Sequence, residues 1–276
     1  MKTFVLASAV SVLALGAAGA AFASTEVELK DVAARVVVTP ENRADVDLKV
    51  AYGKSQLPQI MIHTVGNKLV ADGKLKGRHL QCKGGNAVSV DGIGTVASAD
   101  LPTIYIRVPL NAEVAAGGAT FGQLGPSQTL QFSQGGCGNW TLGDVSGKAE
   151  INIGGSGDIT AGSTRDLEIN IGGSGNFRGT SVQSLEANIG GNGDVSLGHI
   201  NGSAEVNIGG SGNVMINDGS SPRLEVNIAG SGDVRFGGEA KDVEVNIVGS
   251  GDVRLKRVTG NISKSIMGHG NVVIGQ

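Results

Sequence analysis

Six glutamates at nearly equal spacing are the side chains of this sequence most able to do chemistry. The glutamate column, as we call this set, comprises Glu150, Glu168, Glu186, Glu205, Glu225 and Glu244. Carboxylate oxygens are preferred ligands of Ca²⁺ in proteins, so the column is a candidate cation-binding stripe with Ca²⁺ as its candidate ion. The alternative, which we favour, is a solvated charged face that keeps a long sheet soluble.

An asparagine stands two residues after each of these glutamates. The asparagine column comprises Asn152, Asn170, Asn188, Asn207, Asn227 and Asn246. Amides at equal spacing along stacked strands can hydrogen-bond to one another as a ladder. We therefore expect this column to support the fold rather than to bind a ligand.

The remaining titratable residues form no catalytic pattern. The histidines are His63, His79, His199 and His269, far apart and without metal-ligand spacing. A second acidic set alternates with asparagine at equivalent positions: Asp158, Asn176, Asp194, Asn213, Asp233, Asp252 and Asn271. Positions that exchange Asp for Asn are typical of turn caps, because both side chains cap backbone amides. The sequence thus predicts no catalytic residue and no cofactor-binding residue.

The spacing of all these residues comes from a repeated segment. The stretch "EVNIAGSGDV", which begins at Glu225, returns as "EVNIVGSGDV" from Glu244. Related units 18 to 20 residues apart begin at Phe132, Ile151, Ile169, Ala187, Val206, Val226, Val245 and Lys264. A nearly constant period of this length indicates structural copies stacked on one another.

The pattern inside one unit favours strands over helices. Apolar and polar residues alternate in "LEVNI", from Leu224 to Ile228, which is the period of a β-strand. The glycine-rich "AGSGD" supplies a tight corner, and "DVRF" reads as a second short strand. The sequence therefore predicts an all-β, single-stranded β-solenoid (a parallel β-helix) with coils of about 19 residues, each paired to its neighbours about 4.8 Å away.

Stacking converts each repeat position into a column. One apolar column, expected to form part of a continuous core, reads Ile153, Ile171, Ile189, Ile208, Ile228, Ile247 and Ile266. Neighbouring glutamates at the same spacing repel by about 0.9 kcal/mol per pair even in water. We expect bound cations, raised pKa values, or Arg178, Arg235 and Arg254 reaching over to offset this repulsion.

The ends of the chain differ from the repeats. Residues 1–23 have the pattern of a secretory signal peptide: Lys2, an apolar run from Phe4, and Ala21-Phe22-Ala23 before the cleavage point. Residues 24–131 are expected to be an irregular β region that starts or caps the solenoid, and residues 132–276 the regular repeats. Lys264 replaces an apolar residue in the last unit, which is typical of a terminal coil that discourages edge pairing.

Cys82 and Cys137 are the two cysteines of the chain. In an exported protein they are expected to form a disulfide, which would close a loop of about 55 residues and stabilise by about 4 kcal/mol in the chain-entropy model. Two buried free thiols are the alternative. The sequence leaves the choice open, because the bridge requires a proximity that spacing does not reveal.

Composition and charge narrow the class of partner. The 276 residues include 46 glycines and only 3% aromatics, which favours a repeat architecture over an ordinary globular domain. A formal net charge of −3 provides no basic field, so nucleic acid is not expected as a partner. No segment after the signal peptide is apolar enough to span a membrane. A homo-oligomer formed through the terminal coil is a further expectation.

The units of the form "VNIxGSGDV", the signal peptide and the preceding "IYIRVPLNAEV" resemble the family called putative auto-transporter adhesin, head GIN domain. The likeness extends over roughly residues 27–276 and is most specific in the repeats. It implies an exported β-solenoid in the periplasm or on the cell surface of a Gram-negative-type bacterium. It implies no site residues.

Two functions are compatible with the sequence. The first is an exported non-catalytic binding or structural module, adhesin-like, with an unidentified glycan or protein of the cell envelope as its partner. The alternative is a polysaccharide-active β-helix enzyme, a lyase or a glycosidase. The two differ in structure, since an enzyme requires carboxylates that converge in a groove, whereas a module requires only smooth columns.

Overall fold

The repeats stack as the alternation of apolar and polar residues predicts. The computed structural model, which describes residues 25–84 and 87–275, is a β-solenoid of about nine turns with a spacing of about 19 residues. The predicted fold class is confirmed. The signal peptide predicted for residues 1–23 lies outside the described residues.

The described chain consists of 24 strands and one 3-10 turn, Ser98–Asp100. The strands are β1 (Glu26–Lys30), β2 (Ala33–Glu41), β3 (Asp47–Ala51), β4 (Met61–Val65), β5 (Lys68–Asp72), β6 (Leu80–Lys83), β7 (Ala87–Val90), β8 (Gly94–Ala97), β9 (Thr103–Pro109), β10 (Asn111–Ala116), β11 (Ala119–Leu124), β12 (Thr129–Gln134), β13 (Trp140–Leu142), β14 (Val145–Ile153), β15 (Ile159–Ala161), β16 (Thr164–Ile171), β17 (Phe177–Ile189), β18 (Val195–Asn201), β19 (Ala204–Ile208), β20 (Val214–Ile228), β21 (Val234–Gly249), β22 (Val253–Val258), β23 (Ile262–Gly268) and β24 (Val272–Ile274).

Parallel pairing between coils produces two long sides. The glutamate side runs through β5, β1, β10, β12, β14 and β16, then through the "LEVNI"-type segments of β17, β19, β20, β21 and β23. The arginine side runs through β9, β2, β11, β13, β15, β17, β18, β20, β21, β22 and β24. Long strands such as β17 bend around a corner and contribute to both sides.

The first coils do not stack in the order of the sequence. Strand β1 lies between β5 and β10, and β2 lies between β9 and β11. The coil formed by β5 and β9 is therefore beneath the coil formed by β1 and β2, although it comes later in the chain. Strands β3 and β4 pair antiparallel to β9 and β5 at the outer edge of this lowest coil.

A continuous aliphatic core fills the stack. The isoleucine column is almost fully buried from Ile153 to Ile247. A further inward column includes Val145, Val182 and Ile200, all buried, at the start of the segment that turns toward the glutamate side. The last member of the isoleucine column, Ile266, is 43% exposed. It differs from the prediction because no described coil covers β23 from above.

Glycines allow consecutive corners to approach each other. At Gly210 an added Cβ would lie 2.0 Å from the carbonyl oxygen of Gly191 in the coil below. At Gly212 it would lie 2.1 Å from the carbonyl oxygen of Gly193. Contacts that short cannot be accommodated without moving backbone, so these corners can stack only without a side chain.

A disulfide links a small three-stranded sheet to the solenoid. Strands β6, β7 and β8 form this antiparallel sheet, which lies outside the parallel stack. Cys82 on β6 is bonded to Cys137 at a corner, with their Cα atoms 5.9 Å apart. Of the two possibilities that the sequence left open, the bridge is the correct one. It fits an oxidising compartment.

Candidate functional site

The glutamate column is a straight row on the glutamate side. Parallel register places Glu150, Glu168, Glu186, Glu205, Glu225 and Glu244 on successive strands. Below Glu150 the row continues through Gln131, Glu113 and Glu26 to Lys68. Sequence reasoning missed Glu113 and Glu26, because the first coils depart from the repeat pattern and stack out of order.

The asparagine column forms the amide ladder that the sequence predicts. The Nδ2 groups of Asn170, Asn188, Asn207, Asn227 and Asn246 donate to the Oδ1 of the asparagine below, over 2.9–3.0 Å. The same amides, up to that of Asn227, also donate to the glutamate two residues earlier, for example from Asn207 to Glu205 over 3.0 Å. Each amide thereby holds its neighbouring carboxylate in place and supplies part of the charge compensation.

Lys148 and Arg223 form ion pairs with members of the glutamate column. Lys148 Nζ lies 2.7 Å from Glu168 Oε2, and Arg223 Nη2 lies 3.0 Å from Glu225 and 3.8 Å from Glu244. The hydrogen bond from Lys148, followed by that from Asn170, lowers the pKa of Glu168. The hydrogen bond from Arg223, followed by that from Asn227, lowers the pKa of Glu225.

The expectation that Arg178, Arg235 and Arg254 reach over to the glutamates is wrong. Their column belongs to the arginine side, since Arg235 is in register with Arg254 on β21 and β22. Arg254 instead pairs with corner aspartates, at 2.8 Å from Asp252 and 3.5 Å from Asp233. The corner that separates the two sides prevents these arginines from compensating the glutamate column.

Glu113 has the most unfavourable environment of the extended row. Burial is the largest cause that raises its pKa, and the negative charges of Glu26 and Glu150 raise it further, while Lys68 opposes them. Lys68 itself pairs with Glu26 at 2.5 Å. Lys68 thus compensates Glu26 directly, whereas the Glu113 carboxylate has no ion pair among the described residues.

The alternating Asp and Asn residues cap the corners, as their exchange predicts. Asp158 Oδ1 accepts from the backbone N–H of Asn176, and Asn176 Oδ1 accepts from that of Asp194. The same contact recurs up the stack to Asn271, whose N–H donates to Asp252. These carboxylates have a structural task, which explains why Asn can replace them.

The histidines do not meet in the fold. His63 lies on β4, His79 precedes β6, His199 lies on β18 and His269 follows β23. Within residues 25–84 and 87–275, no group of three or more His, Cys, Asp or Glu side chains is arranged to hold a metal ion. The same residues include no helix long and apolar enough to cross a membrane.

A shallow groove of about 590 Å³ follows the asparagine column. Its floor is a row of residues that follow the isoleucine column, namely Gly172, Gly190, Gly209, Ala229 and Val248. A Cβ at Gly190 or Gly209 would meet nothing closer than 3.9 Å. Packing does not require these glycines, and the side chains grow in size toward the last coil.

Residues 179–275 match the model of the family described as putative auto-transporter adhesin, head GIN domain. The resemblance seen in the repeats is confirmed over this range. No curated protein matches the chain.

Three solved structures are similar to this chain. A putative adhesin from Parabacteroides distasonis ATCC 8503 is 15% identical, with 91% of this chain and 92% of the other covered and a TM-score of 0.48. A putative adhesin from Bacteroides fragilis NCTC 9343 is 16% identical, with 91% and 92% covered and a TM-score of 0.41. A putative lipid binding protein from Parabacteroides distasonis ATCC 8503 is 17% identical, with 92% and 94% covered and a TM-score of 0.42.

Proposed function

We propose that this chain is a non-catalytic binding module of the bacterial cell envelope, exported and adhesive in character. The observation that carries the proposal is the pair of uninterrupted outward columns on the glutamate side, held in place by the amide ladder. A rigid, repetitive surface of this kind suits contact with an extended partner, a glycan or a protein. The family match over residues 179–275 and the disulfide support the same assignment.

The chemistry of the carboxylates favours binding over hydrolysis. A glycosidase requires two carboxyl groups in different environments, one with a raised pKa that acts as the acid. In the glutamate column the pKa values of Glu168 and Glu225 are lowered, which is the opposite of what such an acid requires. The corner aspartates are committed to backbone caps, as at Asp158.

Attachment and turnover can be measured on the same protein. Beads coated with the chain are applied to surfaces carrying an acidic polysaccharide, a neutral polysaccharide or mucin, and beads coated with chain unfolded in urea serve as the control. We expect the folded chain alone to retain beads on at least one surface, without release of reducing ends. Retention on none of them, or release of reducing or unsaturated ends that scales with protein concentration, would contradict the proposal.

We also propose that the glutamate column is a solvated face and not a calcium site. Five of its six carboxylates already accept hydrogen bonds from the asparagine column, and two cations lie beside it. Thermal melts in millimolar calcium chloride, in chelator, and in sodium chloride of matched ionic strength test this point. We expect equal midpoints in the calcium and sodium salts; a rise specific to calcium would instead make the column a cation site.

A further inference from the structure

An exposed tyrosine stands on the arginine side near the lower end of the stack. Tyr105 on β9 is 50% exposed, whereas most other large apolar side chains of the sheet are buried. Register places it in one row with Val37 and Gln123, and then with Thr141. Sequence reasoning missed it because aromatics are scarce and Trp140, the conspicuous one, points inward.

The tyrosine groove, as we call it, is a concave site of about 480 Å³ on this side. Its lining includes Arg35, Tyr105, Phe121, Gln123, Asn139 and Thr141. Tyr105 and Gln123 are separated by one strand that carries the shorter Val37, so the row dips over a width of about 10 Å, two strand spacings. A gap of that width between two longer side chains can admit one sugar ring.

A fixed guanidinium supplies charge within the groove. Arg35 Nη2 donates to Thr103 Oγ1 over 2.8 Å, and Thr103 is 6% exposed. Among the described residues Arg35 has no carboxylate partner, unlike Arg107 on the same side, which lies 3.8 Å from Glu41. The groove thus holds an oriented cation beside an aromatic face, which favours an anionic ligand.

We propose that the tyrosine groove binds a carboxylated sugar residue of a polysaccharide. The C–H face of the sugar ring packs on Tyr105, as apolar sugar faces do on aromatic rings. Arg35 binds the carboxylate, and the amides of Gln123 and Asn139 bind hydroxyl groups. This inference deepens the proposed function, on which it rests. It assigns a ligand class, and it places the site on the arginine side rather than on the glutamate side.

The protein carries its own reporter for this site. Trp140 is its single tryptophan and is 1% exposed. Its ring lies directly behind Gly122, where an added Cβ would come within 2.4 Å of it. Because Gly122 lines the groove, a ligand seated there changes the surroundings of the indole and so its emission.

The test titrates the full chain with trigalacturonate and, as a matched neutral probe, with its methyl ester. Calorimetry gives the Kd, and tryptophan emission reports on the groove. We expect the acid to bind at least about tenfold more tightly than the ester, since only the acid pairs with Arg35. Absence of binding by the acid, or equal affinity for the two probes, would overturn the proposal.

Substitutions separate the groove from the rest of the surface. We expect Arg35→Gln to weaken binding of the acid about tenfold and Tyr105→Ala about fivefold, with Tyr105→Phe close to the parent protein. Tyr52→Ala is the matched control, because Tyr52 is 54% exposed and lies outside the groove. An unchanged Kd in Tyr105→Ala, or a loss in Tyr52→Ala, would place the ligand elsewhere.

The two proposals fail in different ways. If coated beads attach to a surface, and still attach with Tyr105→Ala, while trigalacturonate does not bind, the groove assignment alone is wrong. If neither beads nor trigalacturonate bind, the module function is wrong as well.

Discussion

At the scale of single residues, the asparagine column explains how a row of carboxylates is tolerated. Each central asparagine donates both amide protons, as Asn207 does to Asn188 over 2.9 Å and to Glu205 over 3.0 Å. It also accepts from Asn227 over 2.9 Å. A single side chain therefore joins three coils and one carboxylate, so its loss leaves several half-buried groups without partners.

We predict that Asn207→Ala lowers the free energy of unfolding by about 1–3 kcal/mol, because it removes these hydrogen bonds at once. Urea denaturation measures the change. The matched control is Asn217→Ala on the arginine side, where Asn217 is exposed and makes no side-chain hydrogen bond within the described chain. Equal effects of the two substitutions would show that the ladder contributes little to stability.

Glu113 gives a prediction of pH dependence. Its pKa is raised in the folded protein by burial and by Glu26 and Glu150, so its charged form costs stability above that pKa. The cost is relieved as pH falls through the raised folded pKa and is gone below the ordinary value. Glu113→Gln should therefore raise the Tm at pH 7 by about 1 °C and leave it unchanged near pH 3.5. Melting curves of the parent and of Glu113→Gln at the two pH values measure this difference. A rise in Tm that is larger near pH 3.5 than at pH 7 would contradict a raised pKa of Glu113.

At the scale of the elements, the tolerance of a corner for a side chain depends on which of its glycines faces the coil below. Two adjacent glycines of one corner differ sharply in this respect. A Cβ at Gly210 would come within 2.0 Å of the Gly191 carbonyl oxygen, whereas one at Gly209 would meet nothing closer than 3.9 Å. The chain itself carries Ala229 and Val248 at positions equivalent to Gly209.

We predict that Gly210→Ala destabilises by about 3 kcal/mol, since backbone has to move in two coils. Gly209→Ala should be neutral or stabilise by up to about 1 kcal/mol, through the smaller entropy of the unfolded chain. The pair shares composition and neighbourhood, so each variant is the control of the other in urea denaturation. Similar losses in both would mean that corner flexibility, and not the close approach, determines the cost.

At the scale of the whole molecule, the two ends of the stack differ. At the lower end the antiparallel strands β3 and β4 are added outside β9 and β5, whereas β23 leaves the last described coil uncovered. There Ile266 is 43% and Ile274 41% exposed. Lys264 is in register with the buried Val245, which places a charge in the middle of this apolar end. An inward-facing lysine on an edge strand opposes pairing with another edge.

We predict that Lys264→Val causes association through the terminal coil, because it restores the apolar column at the open end. Light scattering over a range of concentrations should show a larger species for this variant than for the parent protein. Lys256→Val, which removes an exposed lysine on the arginine side, is the matched control and should scatter as the parent protein does. If Lys264→Val has the same size as the parent protein at all concentrations, features other than Lys264 protect this edge.

Local regularities of the sequence determine much of the fold of this protein. The alternation in "LEVNI" and the glycine corners sufficed for the solenoid, because identical coils need identical inward residues. The amide ladder and the aspartate caps also followed from spacing, since parallel register places equivalent positions side by side. The coils of residues 111–124 and 129–142 are offset by 18 residues, which lies within the spacing of 18 to 20 seen in the repeated units.

Contacts between residues distant in sequence were decided only by the tertiary structure. The insertion of β1 between β5 and β10 could not be read from the chain, because no repeat signal marks the first coils. The bridge between Cys82 and Cys137 required a proximity that spacing does not encode. Arg35, Tyr105 and Phe121 meet in one groove because strands far apart in the chain become neighbours in the sheet. Periodicity defines what repeats, whereas a site of single, unrepeated residues exists only once the coils are packed.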